Sequence, residues 1–371
     1  MARILVLGGI SESLINFRKN LLERLVADGH HVIACAPDAD SEVRDKLSEM
    51  GVIYQNVNLE RTGLNPVRDL KTVISLIGLF KKNRPDLFLG YTIKPVIYGS
   101  IAASIAGIPK IFSMIEGLGY AFTGVGLKRR LIGSIAKRLY KHALKHNTKV
   151  FFLNPDDLGL FQQQHLIKNP KQAVLLNGIG IDLDEFTPVA HPPNLSFLLI
   201  ARLVKDKGVL EYVEAARVIK KSYPDIHFKL AGFFDENPSS VTEQDLQSWI
   251  ESGIIDYLGY LRDVHQAIEA SSVYILPSYR EGLPRTVLEA MAMGRPIITT
   301  DVPGCRETVQ QGVNGLLIPV RDVAALVNAI EHFIRYPVDI KSMGQKSRQL
   351  TIEKYDVHKV NKVILEAMGL T

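Results

Sequence analysis

Residues 276–296 read LPSYREGLPRTVLEAMAMGRP and follow a short apolar run at residues 273–276. Such a run is typical of a buried parallel strand, and Pro277 ends it. A loop follows, Pro284 suits the first turn of a helix, and Gly-Arg-Pro at 294–296 stops that helix. The stretch therefore predicts a strand, a loop and a helix in succession.

Two carboxylates lie in this stretch, Glu281 on the predicted loop and Glu289 on the second turn of the helix. The backbone N–H groups of residues 282–286 lie at the positive end of the helix dipole, which favours an anion. Open α/β sheets bind ligands outside the carboxyl ends of their strands, so Glu281 is a candidate site residue. The alternative is that both carboxylates are ordinary solvated surface.

The run EGLPRTVLEA at residues 281–290 resembles the E-x7-E signature of retaining glycosyltransferases with two Rossmann-like domains (GT-B), in the large family usually numbered four. The resemblance implies that Glu281 faces the donor sugar and that Glu289 binds the nucleotide ribose. It also implies that the loop and the helix start bind the donor, through Gly282, Leu283, Pro284 and Thr286.

Length and composition indicate a globular protein of two domains, with 371 residues, 46% hydrophobic and 22% charged. The two cysteines, Cys35 and Cys305, are too few for a disulfide framework or a zinc site. The N-terminal MARILVLGG reads as a first strand rather than an export signal. We therefore expect a cytoplasmic protein with no membrane-spanning segment.

The positive charge is concentrated in the first half of the chain. Residues 1–189 hold 24 Lys and Arg against 17 Asp and Glu, a net +7, whereas the remainder holds 20 against 22, a net −2. A basic first half favours an anionic acceptor or surface as its partner.

Strand and helix patterns alternate along the whole chain, which predicts parallel, doubly wound sheets. The first strand, at residues 4–7, leads to a helix at 14–28, but the turn between them lacks G-x-G-x-x-G. A nicotinamide or flavin domain is therefore poorly supported.

We predict an N-terminal acceptor-binding domain at residues 1–188, joined by a C-terminal helix at 352–371, and a nucleotide-sugar-binding domain at 189–351. The C-terminal helix is assigned by the family resemblance, which also implies a cleft between the two domains.

The segment ARLVKDKG places Arg202 and Lys207 after the first strand of the second domain, with Gly208 opening a helix. A basic pair in this position suits a diphosphate, although a solvated lysine-rich loop is the alternative. The segment also resembles the family's R-x4-K-G pattern, which implies that both cations bind the donor diphosphate and stabilise the leaving group.

Two D-x-D strings, at residues 38–40 and 182–184, resemble the metal signature of the other glycosyltransferase fold class. Neither is expected beside the diphosphate, so we interpret both as turn and capping carboxylates. We predict no metal and no cofactor, with a UDP-sugar as substrate. By the family resemblance, Leu258 and Tyr260 are candidate contacts of the nucleotide base, with ordinary strand-and-turn structure as the alternative.

In the first domain, IEGLGYAFTGVG at residues 115–126 is a glycine-rich loop after a strand. The loop resembles one that bacterial members of the family place near the reacting sugars, which implies that Glu116 orients or deprotonates an acceptor hydroxyl; a loop cap is the alternative. Further candidate acceptor-binding residues, with solvated polar surface as the alternative, are Gly8, Gly9, Asn16, Arg18, Lys94 and Gly117.

Residues 127–149 hold eight Lys and Arg and no acidic residue. Apolar residues recur at Leu131, Ile132, Ile135, Leu139 and Leu144, so the segment resembles an amphipathic helix on an anionic membrane surface. A core-packed helix with a basic solvated face is the alternative.

The phrases TIKPVIYGS, EGLGYAF, DENPSS and LPSYREGLP resemble bacterial retaining members of this family. The resemblance implies transfer of a sugar, expected to be an N-acetylhexosamine, from a UDP-sugar to a polyprenyl-diphosphate-linked saccharide. The protein is expected on the inner face of the cell membrane, with no nucleic-acid partner. The alternatives are a soluble glycosyltransferase with a small acceptor, and a nucleotide-sugar-binding protein or epimerase of similar shape.

Overall fold

The computed structural model describes residues 1–60, 65–118, 127–235 and 239–371, without the side chains of residues 127–132. The chain divides into two compact units: unit 1 comprises Met1–Ile179 and Val360–Thr371, and unit 2 comprises Gly180–Lys359. Unit 1 ends at Ile179, before the expected boundary at 188, and resumes at Val360, after the expected boundary at 352.

Local contacts explain why unit 2 begins before the expected boundary at residue 188. The ring of Phe186 stacks on His265 at 4.2 Å, and its carbonyl oxygen accepts a hydrogen bond from Arg348 at 2.7 Å. The backbone N–H of Val189 donates to the carbonyl oxygen of Met293 at 3.4 Å. These partners all lie in unit 2, so the segment packs with that unit.

Unit 1 alternates strands and helices as predicted. Its strands are β1 (Arg3–Leu7), β2 (His31–Ala36), β3 (Ile53–Asn56), β4 (Leu87–Tyr91), β5 (Lys110–Ile115), β6 (Lys149–Phe152) and β7 (Ala173–Leu175). Its helices are α1 (Glu12–Asn16), α2 (Lys19–Ala27), α3 (Ser41–Glu49), α4 (Pro66–Asn83), α5 (Ser100–Ala106), α6 (Leu127–Leu144) and α7 (Pro155–Gln163). The strands pair in parallel, in the order β3-β2-β1-β4-β5-β6-β7.

The first helix is interrupted, where the sequence predicts one helix over residues 14–28. Arg18 separates α1 from α2 with φ −123° and ψ −1°, outside the helical region. Its side chain is 2% exposed and pairs with Glu116 at the end of β5. The tertiary ion pair therefore accompanies a break that local helix propensity does not reveal.

Unit 2 repeats the alternation. Its strands are β8 (Ser196–Ile200), β9 (His227–Ala231), β10 (Asp256–Tyr257), β11 (Val273–Leu276), β12 (Ile297–Thr300) and β13 (Gly315–Ile318). Its helices are α8 (Val209–Lys220), α9 (Glu243–Glu251), α10 (His265–Glu269), α11 (Arg285–Ala292), α12 (Val323–Arg335) and α13 (Val338–Leu350). The final helix, α14 (Val357–Met368), belongs to unit 1 from Val360 onward.

The second sheet is also parallel, in the order β10-β9-β8-β11-β12-β13. Each sheet therefore reverses its direction of growth once, between β1 and β4 in unit 1 and between β8 and β11 in unit 2. The strands are buried apolar runs, as in β8, which is wholly buried. The prediction of two Rossmann-like, doubly wound units is confirmed, whereas α3, β13 and α13 were not predicted.

Candidate active site

The loops after β8 and β11 emerge side by side in unit 2, because these strands pair at the point where the sheet reverses. Ligands of open α/β sheets bind at such a switch point, outside the carboxyl ends of the strands. The loop after β8 carries Arg202 and Lys207, and the loop after β11 carries Glu281. The topology thus brings together three residues that the sequence analysis took from two separate motifs.

Close backbone packing holds these two loops in register. Gly208 has φ +73°, and a Cβ there would lie 2.6 Å from the carbonyl carbon of Pro277. The backbone N–H of Tyr279 and the hydroxyl of Ser278 both donate to the carbonyl oxygen of Asp206, at 2.9 and 3.1 Å. Only glycine at position 208 lets the loops approach this closely.

Lys207 and Glu281 form an ion pair across the switch point, with side chains 21% and 11% exposed. A third loop supports Glu281, since its backbone N–H donates to the carbonyl oxygen of Pro303 at 3.0 Å. Gly304 has φ +84°, and a Cβ there would lie 2.8 Å from the Cβ of Glu281. Loops after β8, β11 and β12 therefore fix this carboxylate.

Arg202 pairs with Asp235, which follows β9, with side chains 36% and 13% exposed. The sequence analysis missed Asp235. The available signal was its position after the strand next to β8, because loops after adjacent parallel strands lie at the same edge. Each cation expected to bind the diphosphate is thus paired with a carboxylate in this structure.

Glu289 is buried in α11, 6% exposed, and accepts a hydrogen bond from the Nε of Arg285 at 2.7 Å. The alternative that Glu289 is ordinary solvated surface is therefore wrong. Pro284 is the N-cap residue of α11 and has no polar side chain with which to cap the helix. Gly282 and Pro284 are buried, whereas Leu283 and Thr286 are partly exposed.

The candidate base contacts follow β10 at the same edge of the sheet. Leu258 is 38% exposed and Tyr260 is 59% exposed. The N–H of Leu258 donates to the carbonyl oxygen of Leu230 at 2.8 Å, and Tyr260 lies edge-on to Phe233 at 5.4 Å. Both residues are accessible, beside the loop that carries Asp235.

In unit 1, Gly8 and Gly9 form the turn after β1, at the switch point of the first sheet. A Cβ at Gly8 would lie 2.7 Å from the ring carbon Cζ of Tyr91, and one at Gly9 would lie 2.7 Å from Oγ1 of Thr92. The two glycines therefore let the turn after β1 pack directly on the end of β4.

Arg18 and Glu116 meet beside this turn and form an ion pair. Asn16, at the end of α1, is exposed, and Gly117 is partly exposed with φ +142°. Residues 119–126 of the glycine-rich loop lie outside the described residues.

Lys94 is directed into unit 1, where its ammonium group lies 2.8 Å from Oδ1 of Asp69 on α4. The two side chains are only 12% and 14% exposed. Its charge is therefore already neutralised within the unit.

Asp40 and Asp182, one from each D-x-D string, have the capping and turn roles that were predicted. Oδ1 of Asp40 accepts from the N–H of Val43 at 2.9 Å and caps α3. Oδ1 of Asp182 accepts from the N–H groups of Asp184 and Glu185, at 3.0 and 3.2 Å. In the part of the chain that the structure describes, no group of three or more His, Cys, Asp or Glu could hold a metal ion.

Helix α6 packs on unit 1 through Tyr140 and Leu144, which are 1% and 0% exposed, and through the partly buried Leu139. Leu139 and Leu144 are therefore not free to enter a bilayer, while the side chains of Leu131 and Ile132 lie outside the described residues. Ile135 is 47% exposed on the same helix. No helix in the described ranges combines the length and the apolarity needed to span a membrane.

Two Rossmann-like units, with paired cations and carboxylates at the switch point of the second, define an enzyme of the GT-B type. Two family models match the chain: a glycosyl transferase 4-like domain over residues 16–178 and glycosyl transferases group 1 over residues 194–335. The chain therefore belongs to this family and is a glycosyltransferase.

Two curated relatives carry specific names. An N,N'-diacetylbacillosaminyl-diphospho-undecaprenol alpha-1,3-N-acetylgalactosaminyltransferase of Campylobacter jejuni is 29% identical over 342 residues, covering 88% of each chain. A UDP-Gal:alpha-D-GlcNAc-diphosphoundecaprenol alpha-1,3-galactosyltransferase of Escherichia coli is 28% identical over 282 residues, covering 71% of this chain and 70% of the relative.

Solved structures share the fold at low sequence identity. HepE from Anabaena, in complex with UDP and glucose, has a TM-score of 0.79 at 17% identity, with 100% of both chains covered. Sucrose-phosphate synthase from Thermosynechococcus elongatus has a TM-score of 0.81 at 19% identity, with 98% of both chains covered.

Proposed function

We propose that the protein transfers a sugar, expected to be an N-acetylhexosamine, from a UDP-sugar to a saccharide linked to a polyprenyl diphosphate. The two curated relatives support this proposal, because their names specify diphospho-undecaprenol acceptors and, for one, a UDP-galactose donor. The observation that carries it is a set of two cation–carboxylate pairs on loops after neighbouring strands of unit 2, Arg202 with Asp235 and Lys207 with Glu281.

Arg202 and Lys207 are the proposed ligands of the donor diphosphate. Their carboxylate partners, Asp235 and Glu281, neutralise these cations in the structure. When the donor binds, its diphosphate replaces these two carboxylates as the partner of the cations. The N–H groups at the start of α11 add further positive potential. As the bond to the sugar breaks, negative charge grows on the leaving UDP and these groups stabilise it.

The carboxylates are proposed to act on the rest of the donor. Glu281, released from Lys207, orients the sugar and stabilises positive charge at its ring. Glu289, held by Arg285 at 2.7 Å, accepts hydrogen bonds from the ribose hydroxyl groups. Leu258 and Tyr260 line the position of the base.

Variants of two neighbouring lysines test the donor site. Lys205 and Lys207 lie in the same short turn, but Lys205 is exposed and Lys207 pairs with Glu281. K207A is expected to lower UDP-sugar turnover by about 100-fold or more, as for the loss of one transition-state donor. K205A serves as the control and is expected to keep turnover within about twofold, as for a surface substitution. Equal turnover in the two variants, measured by UDP release, would reject the assignment.

Retention and metal independence are part of the proposal. Two cations already offset the diphosphate charge, and the acceptor hydroxyl is expected to arrive on the face of the sugar that the leaving group occupies. An α-linked donor should then yield an α-glycoside, and excess EDTA should leave the rate unchanged. A β-linked product, seen in the NMR signal of its anomeric proton, or activity that requires added Mg²⁺ or Mn²⁺, would contradict these statements.

Helix α6 is proposed to bind an anionic membrane surface. Arg138 and Lys141 are exposed on it, and each basic residue near such a surface contributes about 1 kcal/mol. Replacing both with alanine should weaken binding to phosphatidylglycerol vesicles by up to about 30-fold, and added salt should weaken wild-type binding. Alanine at Lys341 and Lys346 on α13 is the matched control. Binding that resists salt, or that both double variants weaken equally, would remove α6 from the proposal.

A further inference from the structure

The switch point of unit 1 contains a charged cluster of its own. Arg18 follows α1, Tyr91 is the last residue of β4 and Glu116 follows β5, so the carboxyl edge of the sheet brings them together. The carboxyl edge of a parallel sheet at its switch point is where open α/β folds bind ligands.

Contacts on several sides immobilise the guanidinium of Arg18. Its carbon Cζ lies 4.4 Å from the centroid of the Tyr91 ring, an attractive cation–π geometry. One terminal nitrogen donates to the carbonyl oxygen of Phe17 at 2.9 Å. The other donates to Oε1 of Glu116 and lies 3.1 Å from the sulfur of Met114.

Burial and a hydrogen bond to Ser13 fix the position of Tyr91. It is completely buried, and its hydroxyl lies 2.8 Å from the hydroxyl of Ser13, which donates to the carbonyl oxygen of Ile10 at 2.5 Å. The ring under Arg18 is thus anchored to the turn after β1. Arg18, 2% exposed, has no freedom to reach a ligand in solvent.

Glu116, in contrast, is 20% exposed and keeps one oxygen available. Arg18 occupies Oε1, and within the described residues Oε2 has no hydrogen-bond partner. Arg18 is buried, unlike the partly exposed Arg202 and Lys207, so the exposed group of this pair is the Glu116 carboxylate, a fixed hydrogen-bond acceptor. Such a group suits the hydroxyl of an uncharged sugar and does not attract a phosphate.

We propose that Glu116 binds a hydroxyl group of the acceptor saccharide through Oε2, and that Arg18 is a positioning residue that holds this carboxylate rather than a ligand of the acceptor phosphate. This inference rests on the proposed function. It goes beyond the role that the resemblance implies for Glu116 by naming the available oxygen, and it changes Arg18 from a candidate acceptor-binding residue to a positioning residue.

The test uses the full-length protein, UDP-N-acetylgalactosamine and a short-chain polyprenyl-diphosphate-linked N-acetylhexosamine. E116Q and R18Q should each raise the acceptor KM by about tenfold or more, as for a hydrogen bond to a charged group. Because they remove the same interaction, the double variant should be no worse than either single one. R18K, which keeps the charge, should recover part of the loss.

Arg44 supplies the matched control, since its guanidinium lies over the ring of Tyr54 at 5.6 Å, in unit 1 but away from the switch point. R44Q should leave the acceptor KM unchanged. UDP affinity should be unchanged in every variant, because it measures the donor site, and the slow release of UDP without acceptor should be unchanged in R44Q. A wild-type protein that neither binds UDP nor releases it would instead reject the proposed function.

A sugar-free polyprenyl diphosphate separates sugar binding from phosphate binding. It should inhibit wild type and R18Q equally. Loss of inhibition in R18Q would show that Arg18 binds the diphosphate and would overturn the inference. Additive effects of R18Q and E116Q, or an unchanged KM in a folded E116Q variant, would also overturn it.

Discussion

Replacing Gly208 with alanine is expected to inactivate the proposed donor site. We expect the accompanying loss in the free energy of unfolding to be little larger than for a matched glycine substitution elsewhere in unit 2. Gly208 has φ +73°, and an added Cβ would lie 2.6 Å from the carbonyl carbon of Pro277. Gly253, in the same unit, has φ +64° and open space for a Cβ. The variants G208A and G253A therefore share backbone strain and differ in steric overlap.

The expected losses of stability and of rate follow from backbone strain and from steric overlap. A residue with a Cβ in the left-handed region costs about 1–2 kcal/mol, and both variants bear that cost. Non-bonded carbon atoms prefer about 3.5–4.0 Å, so G208A must also move the loops after β8 and β11 apart by about 1 Å. Those loops carry Lys207 and Glu281, and a displacement of about 1 Å at reacting groups can cost about 100-fold in rate.

The assay combines unfolding with turnover. Trp249 is the single tryptophan of the chain and is 7% exposed in unit 2, so its fluorescence follows the unfolding of that unit in guanidinium chloride. Both variants should lose at least about 1–2 kcal/mol in the free energy of unfolding. Only G208A should lose UDP-sugar turnover, by about 100-fold. Equal turnover in the two variants would refute the reasoning.

Two further outcomes are expected. Burial, with a smaller contribution from the charge of Arg295, lowers the pKa of His191 to about 4, and Nδ1 of His191 lies 2.9 Å from the guanidinium of Arg295. The neutral imidazole is thus favoured in the folded state, so its contribution to stability is full above pH ~6.5 and is lost as the pH falls through about 4. H191Q should show a weaker decline of the free energy of unfolding over this range, and an equal decline would contradict the assignment. Burial also raises the pKa of Cys35 and Cys305 to about 12, so neither thiol should react with iodoacetamide at pH ~8 until the protein unfolds; rapid alkylation of the folded protein would disprove their burial.

Local patterns were sufficient to predict the elements of the donor site. The strand at β11 and the helix at α11 were predicted from a buried apolar run, a proline and a glycine stop, all within one short stretch. Helix α13 was left unpredicted, because its buried face includes Gly344 and Ser347 and so shows no continuous apolar stripe.

The sequence by itself determined the fold class and the residue types of the donor site, because strand runs, helix stops and the motifs around Arg202 and Glu281 are local. Only the tertiary structure decided which charges meet. Lys207 and Glu281 are 74 residues apart in the chain, and Arg18 and Glu116 are 98 apart. Such pairs depend on the spatial order of the parallel strands in each sheet, since that order decides which loops are neighbours. The same assembly buried Arg18, which lies where its helix is interrupted, and paired it with a carboxylate that is distant in the chain.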